Sequence, residues 1–307
     1  YEIGSGLVGS EMCIRDSENT SRTGNSVSDN MRKVADICDK LMHDQATYGT
    51  YSLLTEGNEE GYLSPYEYLF TSGAEYNSEV ILDYAAVELD KQWSLMYNMA
   101  PLSAGANLCQ KAPSKALVDS YKMSDGSDPT DLNSYTGRDP RLKYTVAYNG
   151  MDWYDLNDKG EYVKKFTLNV TSGSDQAGTA NGSPTGFYTR KYFDPDHGKN
   201  LEMWTNFIMM RYADVLLMKA EALIWTKGEG DAEAKQLLNR IRKRARLEEN
   251  STATKAELKN QRRCELAFEF MPSRHLDMVR WGDAKEAYAE PTRRVNSHWD
   301  SETQTVV

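Results

Sequence analysis

The stretch Arg211-Tyr-Ala-Asp-Val-Leu-Leu-Met-Lys-Ala-Glu-Ala222 decides how the last third of this chain folds. Read with its flanks as one helix over 206–226, it carries Phe207, Ile208, Tyr212, Val215, Leu216, Ala220, Leu223 and Ile224. At 3.6 residues per turn these cover more than one face, so the helix is largely buried. Gly228 and Gly230 end it. Asp231 then caps a second helix with Ala234, Leu237, Leu238, Ile241 and Ala245 on one face. Thr254 and Glu257 have the spacing of a capping box, which predicts a third helix reaching about Phe270. Pro272 breaks the chain, and a fourth helix runs from about Ser273 to Trp281, stopped by Gly282. Two helix pairs with short connections point to tetratricopeptide-like packing and a mainly α fold, with the helical region over about 206–290.

Upstream the pattern is less regular. Met31, Val34, Cys38, Leu41 and Met42 recur at three- and four-residue steps behind Ser28 and Asp29, which predicts a helix. The span 48–70 mixes glycines, Pro65 and aromatics and reads as loop with short helical pieces. Val80-Ile81-Leu82 reads as an extended segment. Between about 95 and 200 lies a loop-rich segment with a few short strands. Lys115–Met123 reads as a short helix there. Leu142, Tyr144, Val146 and Tyr148 alternate as a strand does, and Tyr162–Leu168 could pair with them. The Gly/Ser/Thr/Asn-rich span 169–186 reads as a mobile loop, and Tyr188–Phe193 as a further extended piece. Residues 1–17 follow neither period and resemble translated sequencing-adapter read-through, so they read as a non-native leader ahead of a partial domain over 18–307.

The chain has 307 residues, enough for a sizeable core, with 39% apolar and 27% charged residues. A net charge of −10 disfavours a nucleic-acid partner. Cys13, Cys38, Cys109 and Cys264 are scattered without metal-binding spacing, and Cys38 and Cys264 fall in apolar helical patterns as buried thiols. No apolar run is long enough to span a membrane as a helix. The 19 tyrosines and 6 tryptophans supply amphipathic ring surfaces of the kind that sugars and peptides use.

Several strings, taken in order, resemble the SusD/RagB family. After Arg211–Ala222 come Leu238-Asn-Arg-Ile-Arg-Lys-Arg-Ala245, Arg262-Arg-Cys-Glu-Leu-Ala-Phe-Glu269 and Arg274-His-Leu-Asp-Met-Val-Arg-Trp-Gly282. Before it lie Asn77-Ser-Glu-Val-Ile81, Leu117-Val-Asp-Ser-Tyr-Lys-Met-Ser-Asp-Gly126, Gly137-Arg-Asp-Pro-Arg-Leu142 and Tyr188-Thr-Arg-Lys-Tyr192. Their shared order over about 31–285 carries the resemblance. Two departures stand out: Phe270-Met-Pro-Ser273 replaces the glycine the family has after its third helix, and the chain looks truncated at both ends. The resemblance implies a binding protein without cofactor or catalysis. Such proteins are lipid-anchored on the outer face of the outer membrane in Bacteroidota-type bacteria. They take up an oligosaccharide, or in some branches a peptide, and deliver it to a SusC-like TonB-dependent transporter. The lipid-bearing cysteine is missing from this chain. With amino-terminal helices absent, Val34, Cys38 and Leu41 are expected to lie exposed.

The charges read mainly as structure. Glu265 and Glu269 are four apart on one helix face, the spacing a glycosidase reading would make into general acid and nucleophile. Arg262, Arg263, Arg274 and Arg280 are available to tie them down, which favours a buried ion network. His275 and Asp277 are two apart and point different ways on a helix, so they form no metal pair. Arg240, Arg242, Lys243, Arg244 and Arg246 read as a solvated face near a helix carboxy end.

Aromatic residues in loops are the binding candidates. Trp153 and Tyr154 follow the turn-forming Asn149-Gly150 and are flanked by Asp152 and Asp155. The turn is expected to push the rings outward, with Asn149 and Asp152 bonding sugar hydroxyls and Tyr135 contributing from another loop. Trp93 and Tyr97, at helical spacing, and Trp204, Trp225 and Trp281 read as packing residues. A non-catalytic helical scaffold, with the aromatics serving protein contacts, is the alternative from another class.

Overall fold

The computed structural model describes residues 26–55, 64–88, 90, 92–198, 201–249, 252–269, 272–294, 299–300 and 305–306. The leader at 1–17, Cys13, His298 and the join at Phe270–Met271 lie outside the described residues.

Helix α1 (Val27–His43) is capped by Ser26, whose side chain accepts from the Asp29 amide. Strand β1 (Val80–Tyr84), helix α2 (Lys115–Ser120), helix α3 (Arg141–Thr145) and strand β2 (Val146–Ala147) follow. Strands β3 (Asp152–Leu156), β4 (Tyr162–Thr167), β5 (Tyr188–Thr189) and β6 (Phe207–Arg211) come next. Then come α4 (Tyr212–Lys227), α5 (Ala232–Arg244), α6 (Lys255–Glu265), α7 (Pro272–Trp281) and α8 (Ala284–Arg294). Strands pair antiparallel and two by two: β1 with β6, β2 with β5 and β3 with β4. The architecture is mainly α, with short two-stranded pairings, one of which, Trp299–Asp300 with Thr305–Val306, follows α8.

Helix α4 is the centre. Every residue from Tyr212 to Ile224 is buried. It packs against α1 on one side and against α5 and α6 on others. Leu216, Leu217, Val215 and Ala220 are fully enclosed, and each large aliphatic chain buried this way contributes roughly 1.5–3 kcal/mol. Gly228 leaves α4 at φ +99, a value that costs a side-chain-bearing residue strain. Asp231 and Thr254 cap α5 and α6 through Ala234 N and Glu257 N, as the sequence predicts.

Five expectations are corrected. Val34, Cys38 and Leu41 are not exposed, because α1 lays this stripe on α4. Phe207–Arg211 is strand rather than helix, since it pairs with β1, with Val80 opposite Arg211. The alternation at Leu142–Tyr148 does not make one strand. Asp139 Oδ1 accepts from Arg141 N and starts a helical turn at Pro140 instead. The strand expected at Tyr162–Leu168 pairs with Asp152–Leu156, a span read as loop, rather than with Leu142–Tyr148. In the basic run, Arg242 and Arg244 are buried and only Arg240, Lys243 and Arg246 face solvent.

The strongest feature of the interior is ionic. Glu265 accepts from Arg141 Nη1 at 2.9 Å, from Arg211 Nη1 at 2.7 Å and from Arg244. Glu269 accepts from Arg211 Nε at 2.7 Å and Lys191 Nζ at 2.6 Å. Glu79 accepts from Arg211 at 2.7 Å and Arg244 at 3.1 Å. A second set joins Arg262 to Asp214 and Asp277, each at 2.8 Å, and Arg280 to Asp277 and Glu221. The expected ion network is therefore present. The partners of Glu265 and Glu269, however, come from α3, β6, α5 and the segment after β5 rather than from Arg262, Arg263, Arg274 and Arg280. Burial alone would raise the Glu265 carboxyl, but Arg244, Arg211 and Arg141 hold it well below the usual range.

Candidate functional site

The β3–β4 hairpin presents the aromatic surface. Its turn is built by Asn157, whose side-chain Oδ1 accepts from Lys159 N and Glu161 N, and by Gly160 at φ +74. Side chains alternate across a strand, so neighbouring Trp153 and Tyr154 point to opposite faces. A register shift between Trp153 and Tyr154 sets Trp153 opposite Phe166 and Tyr154 opposite Lys164.

Trp153 is the inward one. It is 1% exposed, stacked on Phe166 at 6.0 Å and met edge-on by Phe193 at 4.6 Å. The guanidinium of Arg190 lies over its ring at 5.2 Å. The outward push expected from Asn149-Gly150 does not reach this ring, because strand alternation decides the side. Trp153 anchors the hairpin and offers no free face.

Tyr154 is the outward one, at 36% exposed. Its ring stacks on Tyr162 with centroids 5.5 Å apart and planes within 19°. The Tyr162 hydroxyl accepts from Arg190 Nη2 at 3.3 Å, and Arg190 Nη2 also donates to Glu67 at 2.7 Å. Tyr162 was not singled out from the sequence. Its cross-strand position opposite Leu156, two residues from Tyr154, is the signal that finds it.

The polar candidates hold the frame. Asp152 accepts from Thr167 Oγ1 at 2.7 Å and pairs with Lys164 at 2.8 Å, which lowers its carboxyl. Asn149 Oδ1 accepts from Val170 N at 3.1 Å and ties the root of the hairpin to the following loop. Asp155 meets His197 Nε2 at 3.5 Å, while His197 Nδ1 lies 2.8 Å from Gly198 O. Burial lowers the His197 pKa, but Asp155, Gly198 O and Asp194 together outweigh it and the net shift is upward. Tyr135 stands elsewhere, stacked on Tyr148 at 4.0 Å and edge-on to Phe187 in a different core cluster. Burial pushes its hydroxyl up to about 12.

Two more rings are open to solvent beside β1: Tyr76, 81% exposed, and Tyr84, 61% exposed. Sequence reading passed over both. Cys38, Cys109 and Cys264 are buried free thiols, with Cys264 pushed up to about 12 by burial. Among the described residues no cluster of His, Cys, Asp or Glu could hold a metal ion, and no helix is long and apolar enough to cross a membrane.

A paired tyrosine face with hydroxyls, one flanking carboxylate and a lysine suits a ligand with flat C–H faces and many hydroxyls. Residues 78–305 match the model of the SusD family.

The chain belongs to the SusD family.

Among curated relatives, SusD-like protein P2 of Formosa agariphila is 42% identical over 96 residues, 27% of this chain and 17% of that protein. A SusD-like protein of Bacteroides fragilis superposes with a TM-score of 0.71 at 22% identity, over 93% of this chain and 55% of its own. A SusD-like carbohydrate-binding protein of the same species gives 0.66 at 22%, over 90% and 55%. The chain thus spans about half the length of the solved structures it matches. In this SusD-family chain the family-like strings meet at one place. The Asp139-Pro-Arg141 turn, the Tyr188–Tyr192 element, Arg211 and the Glu265–Glu269 pair together form the buried ion network.

Proposed function

We propose that this SusD-family chain binds an extracellular oligosaccharide, without catalysis, on the outer face of the β3–β4 hairpin. The observation that carries the reading is the Tyr154–Tyr162 stack, a nearly parallel pair of rings with Tyr154 exposed and Tyr162 half-buried, held by Arg190 and Glu67. The outer face of the stacked pair can take a pyranose face, and the flanking Asp152 and Lys164 can bond ring hydroxyls. A carbohydrate-binding relative of the same fold supports this class of ligand. The carboxylates a glycosidase reading would need are the wrong kind here, since Glu265 and Glu269 are sealed in the core by cations. The family resemblance extends the proposal: the intact protein sits lipid-anchored on the outer face of the outer membrane and delivers its ligand to a SusC-like TonB-dependent transporter.

The test is affinity electrophoresis of the full-length protein through gels containing single polysaccharides, with Tyr154→Ala alongside. Retardation by at least one polysaccharide, lost in the variant, is expected. Unretarded migration in every glycan, with binding to peptides instead, would sink the carbohydrate reading.

A further inference from the structure

A second, separate cavity lies between the carboxy end of α5 and the start of α3. It encloses about 130 Å³ and is lined by Tyr66, Arg141, Lys143, Tyr144, Arg244 and Arg246 among others. Every charged residue on its wall is cationic.

The inner two are largely balanced. Arg141 is paired with Asp139 and Glu265, and Arg244 with Glu79 and Glu265. One donor is left over: Arg244 Nε is buried and has no hydrogen-bond partner among the described residues. The outer two, Lys143 and Arg246, are exposed and make no ion pair among the described residues; Lys143 lies over the Tyr144 ring at 4.8 Å.

Arg246 adds an independent sign. Its N–H bonds Lys243 O at 3.0 Å, and the Leu247 N–H bonds Arg242 O at 2.9 Å. This is a Schellman helix end, with Arg246 at the left-handed position that glycine usually fills. Its φ is +60, so the backbone carries strain to keep an arginine there.

We propose that this cavity is an oxyanion site, taking a carboxylate or sulfate group against the Arg244 side chain and between Lys143 and Arg246 at its rim. Cations converging on one acceptor group make charge-assisted hydrogen bonds of the strong kind. The same group arrives either as a free ion or as an acidic substituent of a carbohydrate.

The experiment follows thermal unfolding of the full-length protein in sodium sulfate against sodium chloride at equal ionic strength. Sulfate should raise Tm saturably in the wild type. Arg246→Gly is the decisive variant because glycine relieves the helix-end strain. It should be at least as stable as wild type in chloride, yet bind sulfate about tenfold more weakly. Lys143→Gln should weaken sulfate in the same direction. A wild-type sulfate response in Arg246→Gly overturns the proposal, and so does a wild type that cannot tell sulfate from chloride. Competition then separates the sources: displacement of sulfate by a uronate-containing oligosaccharide, but not by its neutral counterpart, assigns the site to carbohydrate, and no displacement assigns it to the free ion. Tyr154→Ala should keep the full sulfate response, so failure here and failure of the tyrosine surface are told apart.

Discussion

Arg141 and Glu265 stand 124 residues apart in sequence and 2.9 Å apart in space, with both side chains fully enclosed. Glu265 also holds Arg211 and Arg244, so one carboxylate neutralises cations from three elements. Glu265→Ala leaves those cations buried with too few partners. Breaking such a group should destabilise the fold by about 3–5 kcal/mol, against near zero for an exposed pair. Urea unfolding of wild type and variant measures it, and a loss within about 0.5 kcal/mol would show that the network is slack.

The same network sets the acid limit. Glu265 and Glu269 have folded pKa values lowered from 4.5. Below 4.5 the unfolded chain therefore takes up more protons than the folded one. The stability these groups contribute is present above that pH and is lost as pH falls. The Tm should drop steeply between about pH 5 and pH 3. A flat profile there, with Glu265→Gln matching wild type, would contradict the assignment.

The helical scaffold was legible because its signals are local. Residues 212–226 carry apolar side chains on more than one face, and the caps at Asp231 and Thr254 follow from spacing alone. What escaped depends on partners far along the chain. Phe207–Arg211 fits a helical period as well as a strand, and only pairing with Val80–Tyr84 settles it. Glu265 and Glu269 were readable as buried and paired, but the identity of the partners was not, because Arg141, Lys191 and Arg211 reach them across loops. At the candidate site the sequence found the strand at Tyr162–Leu168 but gave it the wrong partner and read Trp153 and Tyr154 as loop residues, because cross-strand pairing leaves no local signal. Adjacent Trp153 and Tyr154 were both placed outside, although a strand sends neighbours to opposite faces.

That distinction predicts a split between two neighbours. Trp153→Ala removes a ring packed between Phe166 and Phe193 and should cost about 3–5 kcal/mol of stability. Tyr154→Ala should change stability by less than about 1 kcal/mol and act on binding instead. Chemical denaturation of both variants checks this. Equal losses would mean that Tyr154 is also a packing residue.

His197 should report on the hairpin's other side. Against burial, Asp155, Gly198 O and Asp194 raise its pKa above 6.5, so the stability from these contacts is present below 6.5 and fades as pH rises through the folded value. NMR titration of the imidazole should show the elevated value in wild type and a lower one in Asp155→Asn. No difference between them would remove Asp155 as a cause.

The claim that the Tyr154–Tyr162 face holds a carbohydrate is tested most directly by isothermal titration calorimetry. The full-length protein and the Tyr154→Ala/Tyr162→Ala double variant are titrated with the polysaccharide that retards wild type in gels, after matching circular dichroism spectra. The account predicts a loss of affinity of about tenfold or more in a variant that remains folded. Unchanged affinity in that folded variant would place the carbohydrate site elsewhere on the molecule.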